Sequence, residues 1–500
     1  MIDPERVPVI VGVGQINDRP DDPTTGMHSG ELMVAALRRA EEDAGGGGWL
    51  SNAQSLGVVR QISFPQLDPL DRFVAEQCGM TKADHFQSGK PHGDMPIRLL
   101  HEAANAIGRG EITIAAVTGG EALRTAAAKA RAAAADGTKS NALGDLANKA
   151  KPNYAARYGL RLPIDVYPLY ENALRAEWSQ SLDEAQRETA QMWAGMSKVA
   201  DSNEAAWLHR PVEPNDILTA DGRNAPIAFP YTKLMVANAS VNQGAAFIIA
   251  SQAEARRRGV PDERMVHIGY GAAAKAPERY LARPNFTELP SMAIALRDTL
   301  ALNEVSAADF EYAELYSCFP CVPKLAARII DWPAGRDITV FGGLTFGGGP
   351  IANYMSHAVA EMVRRLRGTD SKGLLYANGG YATDHHAVMV SGAPLPNHRF
   401  PQDFGRQAEA DAALGPIPAL DEDYTGPARI ETFTVFFKRD GSVRGGVVVA
   451  LTPEGSRTLA AVDPTDHDVL RMLMAKDEQP VGQRGTIEPG EDLRYWKIPD

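Results

Sequence analysis

A chain of 500 residues with a 44% hydrophobic fraction can bury a large core and predicts roughly two to four structural units. Its formal net charge of -12 argues against nucleic-acid partners and anionic membrane surfaces, since the chain as a whole repels polyanions. No apolar run is long enough to span a bilayer, no secretory signal is evident, and three cysteines are too few for a disulfide framework, so no membrane insertion and a cytoplasmic location are expected.

In chain order, the apolar run 7–13 reads as a buried strand feeding a glycine turn. A dinucleotide fingerprint would need a third glycine opening a helix after Gly12 and Gly14, and it is missing. Segment 29–45 has helical apolar spacing and a glycine stop, predicting a helix laid on a sheet. A similar string of elements then occurs twice. Residues 92–122 and 352–382 each run loop, helix, apolar strand and a glycine pair, Gly119-Gly120 and Gly379-Gly380. Helix 29–45 likewise has a counterpart in 289–305, which leads to a strand at 310–317. Two similar α/β halves with buried strands are implied.

Between the halves, 123–235 differs, with an Ala-rich helix at 125–135 followed by polar, proline-punctuated sequence; it reads as a large insertion lying over one face. The proline-rich stretch 393–405 marks a boundary. Beyond it, 428–462 alternates apolar and polar residues around turns at Asp440-Gly441 and Pro453-Glu454-Gly455. With "RGTIEP" and "LRYWKI" following, the tail predicts a small antiparallel β-barrel.

The stretch "LYSCFPCVPK" (315–324) holds Cys318 and Cys321 in a Cys-x-x-Cys spacing. A thioredoxin-like couple would place this motif at a helix start after a strand, which fits locally, but no compact redox fold surrounds it. A zinc site needs further ligands, and Asp384, His385 and His386, adjacent on a strand, point alternately to opposite faces. No metal is therefore expected. Two packed cysteines is the plainest reading that remains.

A further reading comes from resemblance. "AIGRGEITIAAVTGGEAL" (106–123), "VANASVNQGAAFIIAS" (236–251), "LYSCFP" (315–320) and "FGGLTFGGGPIA" (341–352) occur in the order of the active-site loops of the thiolase superfamily. Over roughly residues 5–395 the chain resembles that superfamily, in particular its sterol-carrier-protein type and thiolase-like proteins with an additional C-terminal domain. The resemblance implies an α/β thiolase fold of two similar βαβαβαββ halves. The N-terminal half would comprise 1–122 and 236–270, the inserted loop domain 123–235 and the C-terminal half 271–400, followed by a linker at 401–425 and the added barrel at 426–500.

Thiolysis and Claisen condensation need a thiolate nucleophile, a histidine to activate it, a second acid/base at the substrate α-carbon, and donors aimed at an oxyanion. Carried onto this sequence, the nucleophile's place falls at Gly93, the activating histidine's at Gly349 and the usual second cysteine's near Asn378. The resemblance therefore implies an acyl-CoA or coenzyme A ligand, no required cofactor, and no conventional thiolase activity. Cys318 stands where the sterol-carrier type keeps its acid/base cysteine, and Cys321 is read as a packing residue. Tyr316 replaces the family's Asn or His; a phenol there can donate to an oxyanion or, if its pKa is lowered, remove a proton. Ala239 and Ser240 are placed near the pantetheine. The missing side chains at 93 and 349 are expected to leave room for a thioester carbonyl at the start of the helix near Met95. Two functions follow, an acyl-CoA binder or a retro-aldolase of 3-hydroxyacyl-CoA using Tyr316, in a monomer or homodimer.

Overall fold

The computed structural model describes residues 3–135 and 153–498. Among these, one sheet of nine strands forms the body, in the order Asp84–Gln87, Ser55–Val58, Ile114–Ala122, Asn242–Ser251, Pro8–Asn17, Val266–Lys275, Asp384–Ser391, Lys372–Gly379 and Tyr312–Glu314. Its centre is a seam: Pro8–Asn17 meets Val266–Lys275 only through Val9↔His267 and Ile10↔Val266. On either side the elements repeat. Helix Met95–Arg109 and strand Ile114–Ala122 correspond to helix Tyr354–Leu366 and strand Lys372–Gly379, as the repeat at 92–122 and 352–382 predicts. Helices Ser29–Asp43 and Pro290–Leu302 correspond likewise. The central strands are buried along almost their whole length, because helices cover both faces. Since Val266–Lys275 is the first strand of the second half, the division expected at 270/271 falls inside it.

Two local expectations change. The first strand does not stop at a glycine turn but continues through Gly12 and Gly14 to Asn17. Ideal Cβ atoms there would lie 2.2 Å from the Ala40 carbonyl oxygen and 2.1 Å from that of Ala36, so these glycines let helix Ser29–Asp43 lie directly on the strand. In the second half, only Tyr312–Glu314 of the expected strand 310–317 is paired; the chain then leaves the sheet as the loop carrying Tyr316 and Cys318.

Strands Gly426–Phe437, Val443–Leu451, Arg457–Val462, Arg494–Lys497 and Arg484–Pro489 close into a five-stranded barrel with its own core. It is not wholly antiparallel, because closure uses a parallel pairing, Ala461↔Tyr495. The inserted region joins this sheet through strands Pro226–Ala228 and Tyr231–Thr232, with Ala228 opposite Phe436.

Helix Pro163–Glu177 of the insertion is sandwiched between body and barrel, buried from Asp165 to Arg175. Leu169 O accepts from Thr432 Oγ1 (2.5 Å) and Asn172 Nδ2 donates to Phe433 O (2.9 Å) on the barrel side. On the body side, the hydroxyls of Tyr167 and Tyr170 donate to the carbonyls of Gly380 and Tyr381, each at 3.1 Å. The insertion and the added domain together roof the region where the sequence places the site.

Candidate functional site

The loop between strand Tyr312–Glu314 and helix Cys321–Ile329 turns at Tyr316, whose φ of +52° lies in the left-handed region that side chains with a Cβ disfavour. This turn brings the phenol to residue 93. An ideal Cβ on Gly93 would stand 1.9 Å from the Tyr316 hydroxyl oxygen, 2.5 Å from its ring Cζ and 2.4 Å from the Asn378 carbonyl oxygen. The room expected at residue 93 is thus taken by Tyr316, and glycine is the residue that fits beside it. Burial pushes the Tyr316 phenol well above its usual range, and the nearby Cys318, Asp94 and Glu314 act in the same direction. A raised pKa suits this phenol to donating a hydrogen bond rather than to removing a proton.

The other expected residues lie in one continuous layer. Asn378 Nδ2 donates to Cys318 Sγ (3.5 Å) and to the Tyr167 hydroxyl (2.8 Å). Ala237 N donates to Cys318 O (3.1 Å), and Gly349 N donates to Asn238 O (2.9 Å). An ideal Cβ at Gly349 would lie 3.2–3.4 Å from Leu344 O, Asn238 O and Ala237 Cβ, a tight place for any side chain. Ser240 is exposed and Ala239 half-buried, whereas Tyr316, Cys318, Gly349 and Asn378 are buried. The layer therefore runs from the surface at Ser240, through Asn238 and Gly349, past Cys318 and Asn378, to Tyr316 and Gly93.

Burial raises the Cys318 thiol to about 12 and Cys321 well above its ordinary value. Neither is poised as a thiolate, so the pair lacks the lowered pKa that a redox couple requires. Cys321 packs at the start of its helix, its Sγ 3.8 Å from the Tyr167 carbonyl. The cavity bounded by Tyr167, Tyr170, Leu174, Cys321 and Asn378 holds only about 10 Å³, space for a single water.

The thiolase-like protein type 1 additional C-terminal domain family matches residues 408–492. A monomeric SCP2-thiolase like protein type 1 from Mycobacterium smegmatis superposes over 100% of both chains, with a TM-score of 0.82 and 29% identity. The chain is a thiolase-superfamily protein with an additional C-terminal domain. Human mitochondrial 3-ketoacyl-CoA thiolase has the same fold over 78% of this chain and 100% of its own (TM-score 0.57, 16% identity). An Ltp2-ChsH2(DUF35) aldolase does so over 77% and 98% (TM-score 0.60, 18% identity). A search of curated protein sequences finds no match.

In this thiolase-superfamily protein the structure adds residues that the sequence reading did not single out. Tyr167 comes from the insertion and carries no local signal. Glu314, an acid inside an apolar strand, does carry one. Its carboxylate accepts from Thr339 Oγ1 (2.7 Å), Val340 N (3.2 Å) and the Tyr354 hydroxyl (2.9 Å), and burial raises it to about 7. The folded protein thus holds this proton to a higher pH than the unfolded chain, and stability from this group falls as pH rises from 4.5 to 7. Glu314→Gln should remove that fall, gaining on the order of 3 kcal/mol relative to the native chain between pH 5 and pH 8. Urea midpoints at the two values measure it, and parallel curves for both proteins would refute it.

On strand Asp384–Ser391, His385 points to the face opposite Asp384 and His386, and the three side chains have separate partners. His385 Nδ1 pairs with the Tyr376 hydroxyl (2.8 Å), and His386 Nε2 with His101 Nδ1 (2.6 Å). Asp384 instead meets His92, the residue before Gly93. Among the described residues, no helix is long and apolar enough to cross a membrane.

Proposed function

We propose that this protein binds acyl-CoA in a thiolase-type site without performing thiolysis. The observation that carries the reading is the Tyr316 phenol standing where a nucleophile's Cβ would project from residue 93. A covalent acyl-enzyme needs a thiolate at that point and an imidazole to activate it. Here the first place is filled by a neutral phenol and the second is Gly349. Coenzyme A would approach over Ala239 and Ser240, the solvent-reachable end of the layer, with the thioester directed toward Tyr316. The protein would act in the cytoplasm and as a monomer, the second of these being favoured by the monomeric Mycobacterium smegmatis relative. Calorimetry with coenzyme A, acetyl-CoA and longer acyl-CoAs tests this. Saturable binding that weakens when Ser240→Trp blocks the surface end is expected, and no heat at millimolar ligand would end the proposal.

The left-handed turn at Tyr316 motivates a second reading, because residues held in such conformations, at a cost of about 1–3 kcal/mol, cluster at active sites. As a fixed neutral donor, Tyr316 would stabilise the enolate left on the thioester after retro-aldol cleavage of a 3-hydroxyacyl-CoA, the class of chemistry named for the aldolase neighbour. The base would then have to be another group. Under this reading Tyr316→Phe lowers turnover roughly 100-fold or more while acyl-CoA affinity stays within about threefold. Absence of turnover across short, branched and steroid side-chain substrates leaves the binder.

A further inference from the structure

Beside Gly93 lies a group of residues that acyl-CoA binding does not use. His92, Asp94 and Asp384 offer one ring nitrogen and two carboxylate oxygens, all within 4.8 Å of one another. His92 and Asp94 precede helix Met95–Arg109, and Asp384 opens strand Asp384–Ser391. Asp384 Oδ2 pairs with His92 Nδ1 (2.7 Å) and its Oδ1 with Lys275 Nζ (2.8 Å). Asp94 is only 4% exposed, yet its Oδ1 has no hydrogen-bond partner. A buried carboxylate oxygen in that condition is stabilised by any partner that reaches it, an ion or a water.

Gly379 packs against all three side chains. An ideal Cβ on it would stand 2.9 Å from Asp94 Oδ1, 3.0 Å from His92 Cβ and 3.3 Å from Asp384 Cβ. The three side chains converge on a position of strand Lys372–Gly379 that has none. Neighbouring cations do not fill it: Arg98 pairs with Glu102 at 2.8 Å, and Lys90 with Glu278.

We propose that His92, Asp94 and Asp384 form a binding site for a divalent transition-metal ion of the zinc, cobalt or manganese class. One imidazole nitrogen with two carboxylate oxygens is a donor set those ions accept, whereas magnesium and calcium prefer oxygen alone. Two carboxylates against the single Lys275 ammonium leave the group electronegative. Lys275, with its side chain 53% exposed, can swing into solvent when a cation takes Asp384 Oδ1. His92 is 23% exposed and gives the ion a route in.

The full-length protein, stripped with a chelator, is titrated with cobalt(II) followed by visible absorption, then with zinc(II) by calorimetry. One saturable site is expected, with ligand-field bands that zinc abolishes and with magnesium binding weaker. His92→Ala and Asp94→Asn should each weaken binding at least about tenfold, and Gly379→Ala, whose Cβ would press on Asp94 Oδ1, should also weaken it. Lys275→Met should tighten it, because it frees Asp384 Oδ1, whereas in a merely structural ion-pair network it would only destabilise the fold. His209→Ala, on an exposed histidine, should change nothing. Asp94→Asn keeps the shape of the side chain and serves if His92→Ala does not fold. Absence of saturable binding up to millimolar metal, or binding unaltered in Asp94→Asn and Gly379→Ala, overturns the proposal.

Discussion

Gly93→Cys should destabilise the protein by about 3 kcal/mol or more and still yield no acyl-enzyme. The new Cβ would sit 1.9 Å from the Tyr316 hydroxyl and 2.4 Å from the Asn378 carbonyl, and the second of these is backbone that cannot rotate away. Removing the hydroxyl alone should not relieve the clash, since the Tyr316 ring Cζ would remain 2.5 Å away. Gly93→Cys combined with Tyr316→Ala should therefore recover more stability than Gly93→Cys with Tyr316→Phe. Neither should be acylated by acetoacetyl-CoA, because residue 349 supplies no imidazole to draw the thiol proton. Urea unfolding and intact-mass spectrometry read the two parts separately. A Gly93→Cys protein as stable as the native chain would show that Tyr316 does not occupy this place, and acyl adduct on any of these proteins would refute the non-thiolytic reading.

Lys324→Met should cost about 3–5 kcal/mol, the usual penalty for leaving one partner of a buried ion pair uncompensated. Lys324 is fully buried, its Nζ 2.6 Å from Glu171 Oε1 and 3.0 Å from Ala185 O, while the Tyr231 hydroxyl donates to Glu171 Oε2 at 2.9 Å. Glu171 and Tyr167 ride on the same inserted helix, Pro163–Glu177, so freeing one loosens the roof held by the other. The variant should lower the urea midpoint and speed labelling of Cys318 and Cys321 by a thiol reagent. Lys324→Met with Glu171→Leu should recover most of the loss, since an apolar pair removes the stranded charge. A single variant with native midpoint and native labelling rate would refute the coupling of this ion pair to the roof.

Much of the body was legible in local pattern. The duplicated helix-strand-glycine strings at 92–122 and 352–382, the apolar runs of the central strands and the turns at Asp440-Gly441 and Pro453-Glu454-Gly455 follow from periodicity and turn chemistry, which act over a few residues. The resemblance of four loops, in order, to those of the thiolase superfamily implied that Gly93, Tyr316, Cys318, Gly349 and Asn378 share one region. What the sequence by itself could not determine is what occupies the space a missing side chain leaves. A glycine at 93 is written the same way whether it opens a pocket or makes room for a tyrosine, and Tyr316 reaches it only through the fold and its own left-handed turn. The same limit hid Tyr167 and the meeting of His92 and Asp94 with Asp384, because each depends on chain segments far apart in sequence. It also hid the parallel closure of the barrel, since pairing direction is settled by which strand edges meet and not by alternation along either strand.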